Sequence, residues 1–135
     1  MNIVIHRGTH QIGGSAIEIS TASTRIILDF GNELSLDEKY IPIGFDIDGV
    51  TKGTPNCDGI VISHYHMDHL GQLTSVLPEI PVYMGTLGKE VALIGAEYQD
   101  KDLYSRLLGT NTFRGGESFT IGDIRIRPLV IDHSA

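Results

Sequence analysis

The sequence predicts an α/β layered fold, and three observations predict it. Short apolar runs of strand type alternate with stretches whose apolar residues fall at helical spacing. Glycine- and proline-bearing turns separate the two kinds. The composition, 41% hydrophobic and 20% charged over 135 residues, is that of an ordinary globular domain. A chain of this length can bury about two-thirds of the surface it exposes when unfolded, so a core needs no staples.

The elements follow in order. Residues 2–6 form an apolar run ending at Arg7-Gly8, and residues 15–20 alternate Ala16, Ile17 and Ile19 around Glu18. These are two strands joined by a glycine turn at Gly13-Gly14, which lacks the strand-to-helix context of a phosphate cradle. Residues 24–30 are a third strand running into Asp29 and stopping at Gly31-Asn32, which places a carboxylate at a strand's end. From 33 to 56 Pro42, Gly44, Gly49, Gly53 and Pro55 break any period, and the segment reads as a loop or insert. Its acidic residues read as a solvated surface, because Asp46-Ile47-Asp48-Gly49 lacks the later bidentate Glu of a calcium loop.

Residues 58–63 are a strand with an uninterrupted apolar centre, the mark of a strand buried on both faces. Leu70, Leu73, Val76 and Leu77 then continue at helical spacing until Pro78. Residues 81–84 are a further strand. Residues 86–99 predict a helix with Leu87, Val91, Ile94 and Tyr98 on one face, and Leu103, Leu107 and Leu108 either extend it or form a second helix before Gly109. Residues 113–121, broken by Gly115-Gly116, and 123–132 read as two strands joined at Gly122-Asp123, the second delivering His133 at its end.

Charge and cysteine usage exclude several classes. Ten Lys plus Arg against 17 Asp plus Glu give a formal charge of −7, which argues against a purely electrostatic nucleic-acid binder unless bound cations reverse the local field. The single cysteine, Cys57, excludes an intramolecular disulfide, and no stretch approaches the ~20 apolar residues of a membrane helix. A reducing cytoplasm is the expected location, with no membrane partner. Cys57 reads as a small apolar residue. Asp58 reads equally as a backbone partner near the histidine turn and as an ordinary turn cap. His6 and His10 read as solvated or hydrogen-bonded side chains.

The chemistry lies in His64-Tyr65-His66-Met67-Asp68-His69, directly after the buried strand. On extended backbone His64 and His66 project to the same side and can reach one ion. Asp68 and His69, where the helix begins, can reach a second ion. Two metals about 3.5–4 Å apart would clamp a bridging hydroxide and a phosphoryl or carbonyl oxygen. Burying so many imidazoles without a metal would leave polar groups unsatisfied.

Followed by Leu70-Gly71, this segment resembles the His-x-His-x-Asp-His signature of the metallo-β-lactamase superfamily at every signature position. Arg7-Gly8, Gly13-Gly14 and Leu28-Asp29-Phe30-Gly31 look like the opening strands of its RNA-processing branch, which includes ribonuclease J-type and β-CASP nucleases. The resemblance runs along essentially the whole chain, strongest at residues 1–34, 57–85 and 113–135. It implies that Asp29 supports the histidine motif from behind. It also implies that His133, within Asp132-His133-Ser134, completes the first metal site with His64 and His66. Asp68 and His69 would supply part of the second site, with Asp68 also orienting the attacking hydroxide. The family's fold is a four-layer αββα sandwich whose signature continues to a bridging aspartate and a further histidine beyond His133.

Residues 1–135 therefore read as the N-terminal half of such a domain, truncated after the His133 motif. The resemblance implies a metal-dependent hydrolase in the full-length protein, a phosphodiesterase acting on RNA with two zinc ions. Nitrogen and oxygen ligands also admit manganese or iron. Two other readings stand beside it. One is a thioester or lactone hydrolase of the same fold; the other is a non-catalytic metal-binding half-domain completed by another chain or by self-association through its unpaired apolar face.

Overall fold

The computed structural model describes residues 1–34, 40–41, 46–131 and 133. A six-stranded sheet forms its centre, in the order β1 (Asn2–Arg7), β2 (Ala16–Ser20), β3 (Arg25–Leu28), β6 (Gly59–Ile62), β7 (Val82–Gly85), β8 (Asn111–Phe113). β1, β2 and β3 pair antiparallel as a meander, whereas β3, β6, β7 and β8 run parallel. The parallel strands need crossovers, and these carry the helices. β4 (Glu33–Leu34) and β5 (Tyr40–Ile41) make a small separate ribbon.

β6 is buried along its whole length, as its uninterrupted apolar run requires. Its register sets Ile60 beside Ile27 and Val82, and Val61 beside Leu28 and Tyr83. Alternate side chains thus enter two separate cores. On one face Ile27, Ile60, Ile62, Val82 and Met84 pack under α2 (Thr86–Gln99) and α3 (Lys101–Leu108). On the other, Ile26 and Val61 meet Ile121 of the hairpin β9 (Phe119–Ile121) and β10 (Ile124–Ile126). Phe119 stacks on Phe113 with ring centres 5.0 Å apart, and Asp123 N–H donates to Thr24 Oγ1 at 3.0 Å, docking the hairpin on the β2–β3 turn. Helices, sheet and hairpin form successive layers, the α/β sandwich that the sequence predicts.

Four expectations need correction. α1 spans only Met67–Leu70, followed by a 3₁₀ turn at Leu73–Ser75, because Gln72 N–H donates to Phe30 O at 2.9 Å and pulls the chain out of its helix. The four apolar residues of the expected longer helix still face inward. In the segment 33–56, Ile47 and Val50 belong to the main core, with Leu77 N–H donating to Val50 O at 2.8 Å. Parts of that segment lie outside the described residues. Asp46 and Asp48 are exposed and pair with Lys52, so the solvated surface is as expected.

The third correction concerns α2. Leu87, Val91, Ile94 and Tyr98 are exposed, while Gly88 and Ala96 are buried and Ala92 and Leu93 pack against the main core. The inward face is thus mostly of small residues, and the larger apolar stripe is left outward. Asp100, extended at φ −152°, separates α2 from α3 and caps the latter by accepting from Asp102 and Leu103 N–H. Fourth, the expected 113–121 strand divides into the end of β8 in the main sheet and β9 in the hairpin, and β10 stops at Ile126, with residues 127–131 continuing without a strand. No helix among the described residues is long and apolar enough to cross a membrane.

Candidate metal centre

The site lies at the carboxyl ends of β3 and β6, where ligands of parallel α/β sheets commonly bind. β3 ends at Leu28, and Asp29 adopts a left-handed conformation, φ 58°, while its N–H still donates to Val61 O at 2.9 Å. Aspartate tolerates that region better than most residues. The turn aims the carboxylate across to the end of β6. Asp29 Oδ1 accepts from Ser63 N–H at 2.7 Å, and Oδ2 accepts from Ser63 Oγ at 2.9 Å and from His69 Nδ1 at 2.8 Å.

The backbone after Asp29 clamps the histidine turn. Phe30 N–H donates to His69 O at 2.7 Å, Asn32 N–H to Met67 O at 2.9 Å, and Gly14 N–H to Asp68 O at 3.1 Å. This fit leaves no room at Gly31, where a Cβ would overlap the Asp68 carbonyl. A Cβ at Gly13 would lie 2.7 Å from that of Asp68. Gly13-Gly14 thus serves the β1–β2 connection, as expected, and also the seating of Asp68. Below them the buried pair Gln72 Nε2 and Asn32 Oδ1 is joined at 2.6 Å.

Three imidazoles converge. His64, His66 and His133 each offer a ring nitrogen, and these nitrogens lie within 4.8 Å of one another. His64 Nε2 and His66 Nδ1 are 3.1 Å apart. Ligands on a tetrahedral zinc with bonds of about 2.0–2.1 Å would be about 3.3 Å apart, so the His64–His66 pair matches such an ion and His133 brings a third nitrogen donor within reach. His133 reaches the cluster from an irregular segment and not from the expected strand end; Asp132 and Ser134 lie outside the described residues.

Asp68 and His69 stand beside the triad as a pair. Asp68 Oδ2 is 3.4 Å from His69 Nε2, and the His64 and His69 rings are 4.0 Å apart at their centres. Among the described residues neither of the two belongs to a group of three possible ligands. Burial, then the charges of His69 and His66, hold the His64 imidazole below its usual range, which favours the neutral form that binds metal. The Asp29 hydrogen bond raises His69.

The remaining candidates fall away from the site. His6 bonds Glu18 at 2.9 Å, and His10 is exposed. Cys57 packs against the core, burial raising its thiol. Asp58 accepts from Arg25 N–H at 2.8 Å at the start of β6, the opposite end of the sheet from the histidines. That resolves the two readings of Asp58 in favour of a strand-end cap. The sequence alone gives no sign of the roles of Ser63 and the Asn32–Gln72 pair, or of the close approach that Gly31 permits, because each depends on contacts between segments far apart in the chain.

No family model matches the chain. A probable ribonuclease of Methanocaldococcus jannaschii, RNase MJ4, is 31% identical over 67% of this chain. The ribonuclease aCSPSF2 of Saccharolobus solfataricus is 35% identical over 62%. Among solved structures, a protein of unknown function from Enterococcus faecalis superposes with a TM-score of 0.72 at 18% identity, covering 91% of this chain and 36% of that one. A subclass B3 metallo-β-lactamase from a soil metagenome library, MEM-A1, superposes with a TM-score of 0.53 at 21% identity, covering 84% of this chain and 44% of that one. The chain has the metallo-β-lactamase fold. These sequence relatives carry ribonuclease names, in line with the resemblance to an RNA-processing branch. The chain spans 20% of the length of RNase MJ4 and 15% of that of aCSPSF2.

Proposed function

We propose that this metallo-β-lactamase-fold chain forms part of a metal-dependent phosphodiesterase acting on RNA. The observation that carries the reading is the convergence of the His64, His66 and His133 ring nitrogens at the carboxyl ends of two parallel strands. In this reading those three residues hold one ion, and Asp68 with His69 supplies part of the site for a second. Zinc suits the donor set, and manganese or iron are the other metals to test. When bound, such ions supply Lewis acidity and a water acidified toward neutral pH.

The chain's own residues divide the remaining work. Asp29 fixes the His69 ring through its Nδ1 proton, leaving Nε2 toward the centre. Asp68, held against Gly13 and the 30–32 turn, orients the attacking water. RNA as substrate is supported by the names of the sequence relatives, both ribonucleases. The chain's formal charge is −7, and bound cations would supply local positive charge where a phosphodiester is to be held.

Residues 1–135 are proposed to be the first half of a metallo-β-lactamase domain. The exposure of Ile3 and Ile5 on the hairpin side of the sheet supports a further covering layer, supplied by a longer chain or a partner. The test has two stages. Elemental analysis of the chain beside His66→Ala should find one or two metal ions lost in the variant; no metal above the variant would overturn the site. RNA hydrolysis by the full-length protein, abolished by the same substitution, should exceed thioester or lactone hydrolysis; the reverse order would replace RNA with a small-molecule substrate.

A further inference from the structure

At the end of β6, the Ser63 hydroxyl touches two of the residues discussed above. Its Oγ lies 2.9 Å from Asp29 Oδ2 and 3.0 Å from His64 Nδ1. The proton count at this atom decides the direction of both bonds. An ionised carboxylate only accepts, so the one hydroxyl proton goes to Asp29. Ser63 Oγ then has lone pairs to offer, and the matching donor is a proton on His64 Nδ1. His69 Nδ1 lies at 3.4 Å from the same oxygen, but its shorter bond, 2.8 Å, is to Asp29 itself.

We propose that Ser63 is a positioning residue that extends the reach of Asp29 to a second histidine. One carboxylate then orders two imidazoles, His69 directly and His64 through the hydroxyl. In each ring the proton is kept on Nδ1, and Nε2 is left with its lone pair toward the cluster. For His64 this is the nitrogen that approaches His66 Nδ1 at 3.1 Å. Without the relay, His64 could place its proton on Nε2 and turn a donor toward the cluster, a form that cannot bind a metal until it rearranges.

The local backbone supports this assignment. Ser63 N–H is bound to Asp29 Oδ1 at 2.7 Å, so both the amide and the hydroxyl of one residue are gripped by one carboxylate. That double grip fixes where the hydroxyl sits relative to His64, the next residue in the chain. Metal-ligating histidines generally have such a partner on the second nitrogen, and losing it typically costs about 10–100-fold in metal affinity. The proposal rests on the metal-centre reading for its consequence, not for the hydrogen bond itself.

The experiment uses the 135-residue chain with ¹⁵N-labelled histidine, first without metal at a pH where imidazoles are neutral, then titrated with zinc. Long-range ¹H–¹⁵N spectra should show His64 with its proton on Nδ1 in the metal-free protein. Ser63→Ala should lose that preference at His64 while leaving His69 unchanged, and should weaken zinc binding by about 10-fold. Ser63→Thr, which keeps the hydroxyl, should restore both. An Nε2 proton on His64 in the unsubstituted chain would overturn the proposal without any variant. Unchanged tautomer and zinc affinity in Ser63→Ala would overturn it as well. If the unsubstituted chain takes up no zinc, the metal-centre reading fails separately, and the tautomer still decides the Ser63 assignment.

Discussion

The two faces of the six-stranded sheet are built from the same kinds of residue but are covered very differently. On the helix side, Ile27, Ile60, Ile62, Met84, Leu73 and Leu107 are fully buried in one continuous core. On the hairpin side, among the described residues, Ile26 is fully buried and Val61 and Ile121 nearly so, and the layer thins toward β1, where Ile3 is 62% and Ile5 53% exposed. The registers Ile3↔Ile19 and Ile5↔Ile17 place the exposed pair on the same apolar surface that continues under the hairpin. Apolar alternation alone therefore decides that a strand has an inner face. Whether that face is buried depends on what else is folded over it.

The predictions that test this contrast begin with the site, where close packing on the helix side meets the strand ends. Gly31→Ala should have the largest effect, since its Cβ would overlap the Asp68 carbonyl, a backbone atom that cannot swing aside. Loss of more than about 4 kcal/mol, or failure to fold, is expected in urea denaturation. Stability close to that of the parent would mean that the 29–32 turn does not seat against Asp68 as described.

Next come two neighbours on one strand. Ile27→Ala removes a side chain from the thick core and should cost about 3–5 kcal/mol, whereas Ile26→Ala opens toward the small hairpin, which can move in, and should cost about 2 kcal/mol. Equal losses would show the two layers to be equally rigid. Smaller still, Ile3→Ser and Ile5→Ser should change stability by less than about 0.5 kcal/mol each, because both side chains are already in water. The double variant should instead reduce self-association in light scattering. A large loss of stability would mean that this edge is covered in solution.

Between the sizes expected for Ile26 and for the β1 variants lies the effect of the charges on β2. Burial pushes the Glu18 carboxyl up, but its hydrogen bonds to Arg25 and His6 and their charges more than offset this and hold it below the usual range. The folded form thus binds its proton less readily than the unfolded form. The stability this supplies is present above the ordinary carboxylate range and is lost as pH falls through it. Glu18→Gln should cost about 1 kcal/mol near neutrality and flatten the acid limb of the stability profile. An acid limb unchanged in the variant would exclude this pair as a contributor.

Much of the fold is legible in the sequence wherever one local rule suffices. The apolar run at 58–63 becomes the fully buried β6, the helix expected at 86–99 is α2, and Gly122-Asp123 turns the β9–β10 hairpin. The ligand cluster is equally legible, since His64 and His66 are neighbours on extended backbone and need no distant partner to lie together. What local rules miss is whatever a distant segment decides. Helical spacing after Leu70 continues past Gly71, yet Phe30 captures the Gln72 amide and ends the helix. The turn at 47–50 looks like solvated loop, yet Val50 lies under Leu77 in the core.

The sequence by itself determined the layered α/β fold, the strand-to-helix turn with its metal-ligand residues, and the carboxylate at the end of β3, because each follows from neighbours in the chain. Only the tertiary structure decided which face of α2 turns inward. Amphipathic spacing marks the Leu87, Val91, Ile94 and Tyr98 stripe as apolar, but the face that packs on the core is the one carrying Gly88, Ala92, Leu93 and Ala96. It also decided that the Asp29 carboxylate meets Ser63 and His69, residues 34 and 40 positions away. Contacts at that separation exist only once β3 and β6 have paired.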